Sequence, residues 1–148
     1  MKNVTLKDFS MLMCVLFGTA HLCAAAAASV ARLRPCPDSP NCVSSLSDDE
    51  KHFIKPFAYR GSVDDARQKL IDILKNSRGV RLVSIEKAYL HAEFRSLIFR
   101  FVDDVEFYFP DEEAVIHVKS ASRTGYYDFG VNRRRLERLR SAFEDRSN

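Results

Sequence analysis

The residues of this chain that are able to do chemistry fall into a cysteine pair, a set of alternating polar side chains and a cluster of arginines. Cys36 and Cys42 lie in the run Arg34-Pro35-Cys36-Pro37-Asp38-Ser39-Pro40-Asn41-Cys42. His91, Glu93 and Arg95 recur two apart, and Asp104, Glu106, His117 and Lys119 follow in later segments. An imidazole beside carboxylates is equipment for general acid–base work. The arginines are Arg123, Arg133, Arg134, Arg135, Arg138 and Arg140, against Asp128 and Glu137 over the same stretch.

Each group has a plain reading and a sharper one. Two close cysteines in an oxidising compartment most simply form a small disulfide loop. A zinc site needs tighter pairs and more ligands, and a redox thiol usually sits as Cys-x-x-Cys before a helix. Alternating charges on neighbouring strands suit cross-strand ion pairs. Alternatively, His91, Glu93 and Asp104 form a cluster for a small hydrolase-like enzyme. Arg133, Arg134 and Arg135 fall in the first turn of a helix, where the macrodipole is already positive and cations are disfavoured. Something negative must offset them. The internal candidates are Asp103, Asp104 and Asp128. The external candidate is an anion at the helix start, contacted by Arg123, Asn132, Arg133 and Arg134, with His91, Glu93 and Arg95 on an adjacent face.

No serine nucleophile elbow, phosphate-binding glycine loop, His-Glu-x-x-His or dinucleotide fingerprint is present. The sequence therefore names no catalytic residue, metal or cofactor. A formal net charge of +3 is too small to argue for nucleic acid, and no aromatic ladder supports that partner. With 46% hydrophobic and 29% charged residues in 148, the composition is that of one ordinary folded domain.

The elements that must position these groups are legible as patterns. Phe53 to Tyr59 is a short extended segment. Ser62 with Asp65 makes a capping box, and Val63, Ala66, Leu70, Ile73 and Leu74 follow at helical spacing to about Asn76. Arg78-Gly79 ends the helix, and Val80 to Glu86 is a strand. Period-two alternation predicts strands over Tyr89 to Arg95, Phe99 to Phe109 and Ala114 to Ser122, with Phe99, Phe101, Val105, Phe107 and Phe109 on a covered face. Asp103 falls in that apolar phase and needs a partner, either Arg123 or a later arginine. A helix from about Arg133 to Glu144, capped by Asn132, closes the chain. The expected fold is α+β in the order β-α-β-β-β-β-α, an antiparallel sheet of four to five strands with both helices on one face.

The N-terminus reads as an address. Lys2 and Lys7 precede the apolar Phe9 to Leu22, and the small residues of Ala24 to Ala31 follow, which is the pattern of a secretory signal peptide. The alternative is an uncleaved membrane anchor over Phe9 to Ala31. Both readings place residues 32–148 as a single exported domain, in the periplasm or outside the cell, opening with the Cys36–Cys42 clasp.

The stretches Pro35 to Ser45, Tyr89 to Ser96, Phe101 to Phe107, Ser120 to Gly125 and Asp128 to Arg135 together resemble the bacterial and chloroplast proteins grouped as domain of unknown function 1499. The resemblance spans Pro35 to about Arg140. It implies export and membrane association but no reaction, substrate or cofactor, and Tyr127 departs from the serine common at that position. The expected role is a non-enzymatic binding module for an anionic small ligand, lipid head group or protein partner. The rivals are the hydrolase-like reading and a structural or assembly protein with an internal Arg–Asp network.

Overall fold

The structure, a computed structural model, describes residues 33–145. The export segment expected over 1–31, with Cys14 and Cys23, lies outside them. The elements run β1 (Cys42–Ser44), β2 (Phe57–Ala58), α1 (Val63–Lys75), β3 (Val80–Ile85), β4 (Tyr89–Arg95), β5 (Val102–Tyr108), β6 (Val115–Ser122) and α2 (Val131–Asp145). The fold is α+β, with an antiparallel sheet ordered β1-β6-β5-β4-β3 and β2 also paired with β6. β1 opposes Lys119 to Ala121 of β6, and β2 opposes Val115 and Ile116, so the two short strands share one edge of β6 end to end.

The capping box forms as the residue types require. The Ser62 hydroxyl accepts from the Asp65 amide and donates to the Asp65 carboxylate at 2.6 Å. The helix stops at Asn76, and Gly79 takes φ +74 where the chain enters β3. Leu70, Leu74, Leu136, Leu139 and Phe143 from the helices pack with Leu90, Val105, Phe107, Ile116 and Val118 from the sheet in one core. Both helices therefore cover the same sheet face.

The structure differs from the sequence reading at three places. The clasp carries a strand, β1, although three residues are too few to show a period. The free edge of β6 recruits it, and the Ser122 amide extends the pairing by donating to the Asn41 carbonyl at 3.0 Å. The strand expected from Phe99 begins at Val102. Register pairs Arg95 with Val102, so residues 96 to 101 become the hairpin tip, closed by the Ser96 amide donating to the Phe101 carbonyl at 2.9 Å. Phe99 and Phe101 are exposed there rather than covered.

The last helix begins at Val131, and Asn132 lies inside it, fully buried. Asp128 does the capping instead. Phe129 (φ 53) and Gly130 (φ 74) turn the chain back, so that the Asp128 carboxylate accepts from the amides of Gly130 and Asn132, each at 2.8 Å. Asn and Asp have equal capping chemistry. The tight left-handed turn, not the local residue type, decides between them.

Candidate functional site

Asp103 and Asp104 are neighbours on β5, so their side chains point to opposite faces of the sheet. On the open face, Asp104 stands directly opposite Glu93 of β4, and Glu93 stands opposite Arg81 of β3. Two carboxylates directly across a strand pair repel. Arg123, just beyond the end of β6, straddles both. Its Nε donates to Asp104 Oδ2 at 2.7 Å, and its Nη2 donates to Asp104 Oδ1 at 2.7 Å and Glu93 Oε1 at 2.5 Å. Arg81 binds the other oxygen of Glu93 at 2.7 Å, and His91 Nε2 reaches Asp104 Oδ1 at 2.7 Å. Beside this chain, Glu106 takes bonds from the Tyr89 hydroxyl (2.8 Å) and from Lys119 (3.2 Å).

The electrostatics follow from these contacts. Hydrogen bonds from Arg81 and Arg123 hold the Glu93 carboxyl below its ordinary range. Burial pushes Asp104 upward, but the bonds from Arg123 and His91 outweigh it and leave its pKa lowered. Asp104 and Glu93 keep Arg123 protonated. Burial together with the Glu106 carboxylate raises the Tyr89 phenol, and burial lowers the His117 imidazole. Carboxylates pinned in the ionised form are weak proton acceptors at neutral pH. They lie on the sheet face away from the two helices. A surface cavity of about 590 Å³ lies elsewhere, between Tyr59, Arg60, Asp65, Lys69, Phe143 and Glu144.

On the covered face, Asp103 is buried and pairs with Arg135 of α2. Arg135 also donates to Asn132 Oδ1 at 2.6 Å and Ser120 Oγ at 3.1 Å, and its guanidinium lies 5.0 Å from the Phe94 ring centre. Asn132 in turn donates to the Asn41 carbonyl (2.8 Å), Ser122 Oγ (3.0 Å) and Asp128 (2.9 Å). A buried carboxylate and guanidinium are thus embedded in a satisfied polar network that ties α2, β5, β6 and the clasp together.

The four residues expected to gather an anion do not converge. Arg123 sits on the open sheet face and Asn132 is buried beneath the opposite one. Arg133 turns to the carbonyls of Phe53 (2.7 Å) and Lys51 (2.9 Å), and Arg134 to that of Phe129 (2.7 Å). The chain's own Asp128 occupies the helix N-terminus, so this acid acts as a cap rather than as an ion-pair partner. Of the adjacent-face residues, His91 and Glu93 join the network on the open face, while Arg95 stays exposed with no side-chain partner among the described residues. Cys36 and Cys42 are joined as a disulfide. Among the described residues no group of three or more His, Cys, Asp or Glu is placed to hold a metal.

Sequence reasoning missed the contributions of Arg81, Arg135 and Asn41. Arg135 was readable only as one arginine among several competing for Asp103. It also missed a concentration of exposed apolar side chains at one end of the sheet, formed by the β4–β5 tip and the β6–α2 loop. The signal for the tip was present in Leu97-Ile98-Phe99, a stretch with no turn residues, but Leu97 and Ile98 fell between two expected strands and Phe99 read as the start of the second.

A family model described as a protein of unknown function (DUF1499) matches residues 32–143. No curated protein matches the chain.

Proposed function

Since the chain belongs to the DUF1499 family of proteins of unknown function, its role has to be read from its own surface, and we propose that it is an exported, non-catalytic binding module for an anionic partner. The binding end is the one that carries the β4–β5 tip and the β6–α2 loop. The observation that supports this reading is the charge there. Arg95 and Arg100 are exposed and have no side-chain partner among the described residues, and Arg134 is matched only by a neutral carbonyl. A guanidinium bonded to a carbonyl keeps its full positive charge. Asp128 in the loop itself is bonded only to neutral N–H donors and keeps its negative charge, while Asp103 and Asp104 are paired with Arg135 and Arg123, so three guanidinium groups stand against one carboxylate and the end is electropositive.

The hydrolase-like reading has less support, because bonds from Arg81, Arg123 and His91 hold Glu93 and Asp104 ionised. The assembly reading draws on the Asp103–Arg135–Asn132 network, which serves the fold first.

Titration of the full chain with inorganic tripolyphosphate, followed by amide NMR shifts, tests the proposal. Shifts should centre on residues 95–100 and 123–126, weaken with salt, and fall several-fold in Arg95→Ser/Arg100→Ser with the melting temperature unchanged. Shifts spread evenly over the basic residues, or unaltered in the double variant, would overturn it.

A further inference from the structure

Tight turns are normally built from Gly, Asn, Asp, Ser and Pro. The β4–β5 tip instead reads Leu97-Ile98-Phe99-Arg100-Phe101, and Ile98 is 83% exposed. The β6–α2 loop carries Tyr126, Tyr127 and Phe129, the last 85% exposed. The rings pair with one another within each segment, Phe99 with Phe101 at 5.8 Å between ring centres and Tyr126 with Tyr127 at 5.2 Å. Each segment also holds a bulky residue in left-handed backbone, Arg100 (φ 55) and Phe129 (φ 53), which turns the apolar groups outward. Exposed apolar side chains concentrated in this way mark an interaction site.

The two segments occupy the same end of the sheet. Val102, at the foot of the tip, accepts from the Arg123 amide at 3.1 Å, where the loop begins. The clasp is there as well: Cys42 opposes Ala121, and Asn41 Nδ2 donates to the Gly125 carbonyl at 2.5 Å. Cys36 is bonded to Cys42 and so belongs to the same end. In sequence, the apolar stretch Phe9 to Ala31 directly precedes it.

We propose that this end docks on an anionic phospholipid bilayer, with Leu97, Ile98, Phe99 and Phe129 entering the headgroup–acyl boundary and Arg95 and Arg100 meeting lipid phosphates. The inference rests on the anion-binding reading and names its partner. A folded partner would need a matching shape, whereas the apolar groups here project on two separate loops that a fluid interface receives without complementarity. Aromatic rings with flanking arginines are the side chains that settle at membrane interfaces, and each basic residue near an anionic surface adds about fivefold in affinity.

The chain has no tryptophan, so a single introduced indole reports on its own position. Phe99→Trp in the full chain should shift its emission to the blue on phosphatidylglycerol vesicles and be quenched by brominated acyl chains. Ile85→Trp, exposed at the other end of the sheet opposite Leu90, should do neither. Adding Arg95→Ser/Arg100→Ser to the Phe99→Trp chain should weaken the phosphatidylglycerol response by on the order of 10- to 30-fold. Its response on phosphatidylcholine should stay nearly unchanged.

An unquenched indole at position 99 overturns the proposal, even where the chain sediments with vesicles, since another segment then carries the binding. A blue shift that needs no lipid and grows with protein concentration overturns it in favour of self-association. If tripolyphosphate still binds in either case, the anionic reading stands and only its partner was wrong.

Discussion

Arg135→Met removes one half of a buried ion pair while leaving a side chain of similar length against Phe94. Asp103, only 7% exposed, would then be a carboxylate with its guanidinium gone, and Asn132 would lose its bond from Arg135. Breaking a buried pair from one side costs about 3–5 kcal/mol, because the remaining charge has neither water nor partner. For a domain of this size that is a fall of about 12–20 °C in melting temperature. Urea unfolding followed by circular dichroism, with the disulfide intact, measures it. The double variant Asp103→Leu/Arg135→Met should recover much of the loss, since neither charge is then buried. A single-variant loss under about 1 kcal/mol would refute the reasoning, because Asp103 must then find water or another cation. So would a double variant as unstable as the sum of its parts.

Acid should weaken the fold through the open-face network. Glu93 and Asp104 have native pKa values below their ordinary 4.5 and 3.8, so the unfolded chain takes up protons first. Their stabilisation is complete above about pH 5 and is lost as pH falls through the native values; a pH series of urea midpoints should show this slope, flattened in Arg123→Met. Gly79→Ala should destabilise by about 2 kcal/mol or more, from the left-handed penalty plus a clash, since an added Cβ would sit 2.7 Å from the Arg95 carbonyl oxygen. A thermal melt matching the parent would show that the β3–β4 junction can relax.

Local residue chemistry was enough for the parts of this protein that depend on near neighbours. The Ser62–Asp65 cap, the run of α1, the phase of β4 and the inward placement of Asp103 each follow from spacing within a few residues. The disulfide followed from two thiols with no competing ligand set. What depended on distant partners was not legible. Nothing near Cys42 announces a strand, because the reason for β1 is the unfilled edge of β6, far along the chain. Asn132 was expected to cap the last helix and Asp128 to pair with an arginine, and the turn through Phe129 gave the capping to Asp128.

The arginines show the same division. The sequence determined that their charge had to be answered, since six of them share a short stretch with two acids. Only the tertiary structure decided how. It sent Arg123 to one face of the sheet and Arg135 to the other, gave Arg133 and Arg134 backbone carbonyls, and left Arg95 and Arg100 exposed beside an apolar tip. Charge balance is a property of composition and can be counted along a chain. Which cation meets which acid depends on strand register and on which side of the sheet each residue falls, and those are fixed only when remote segments pack.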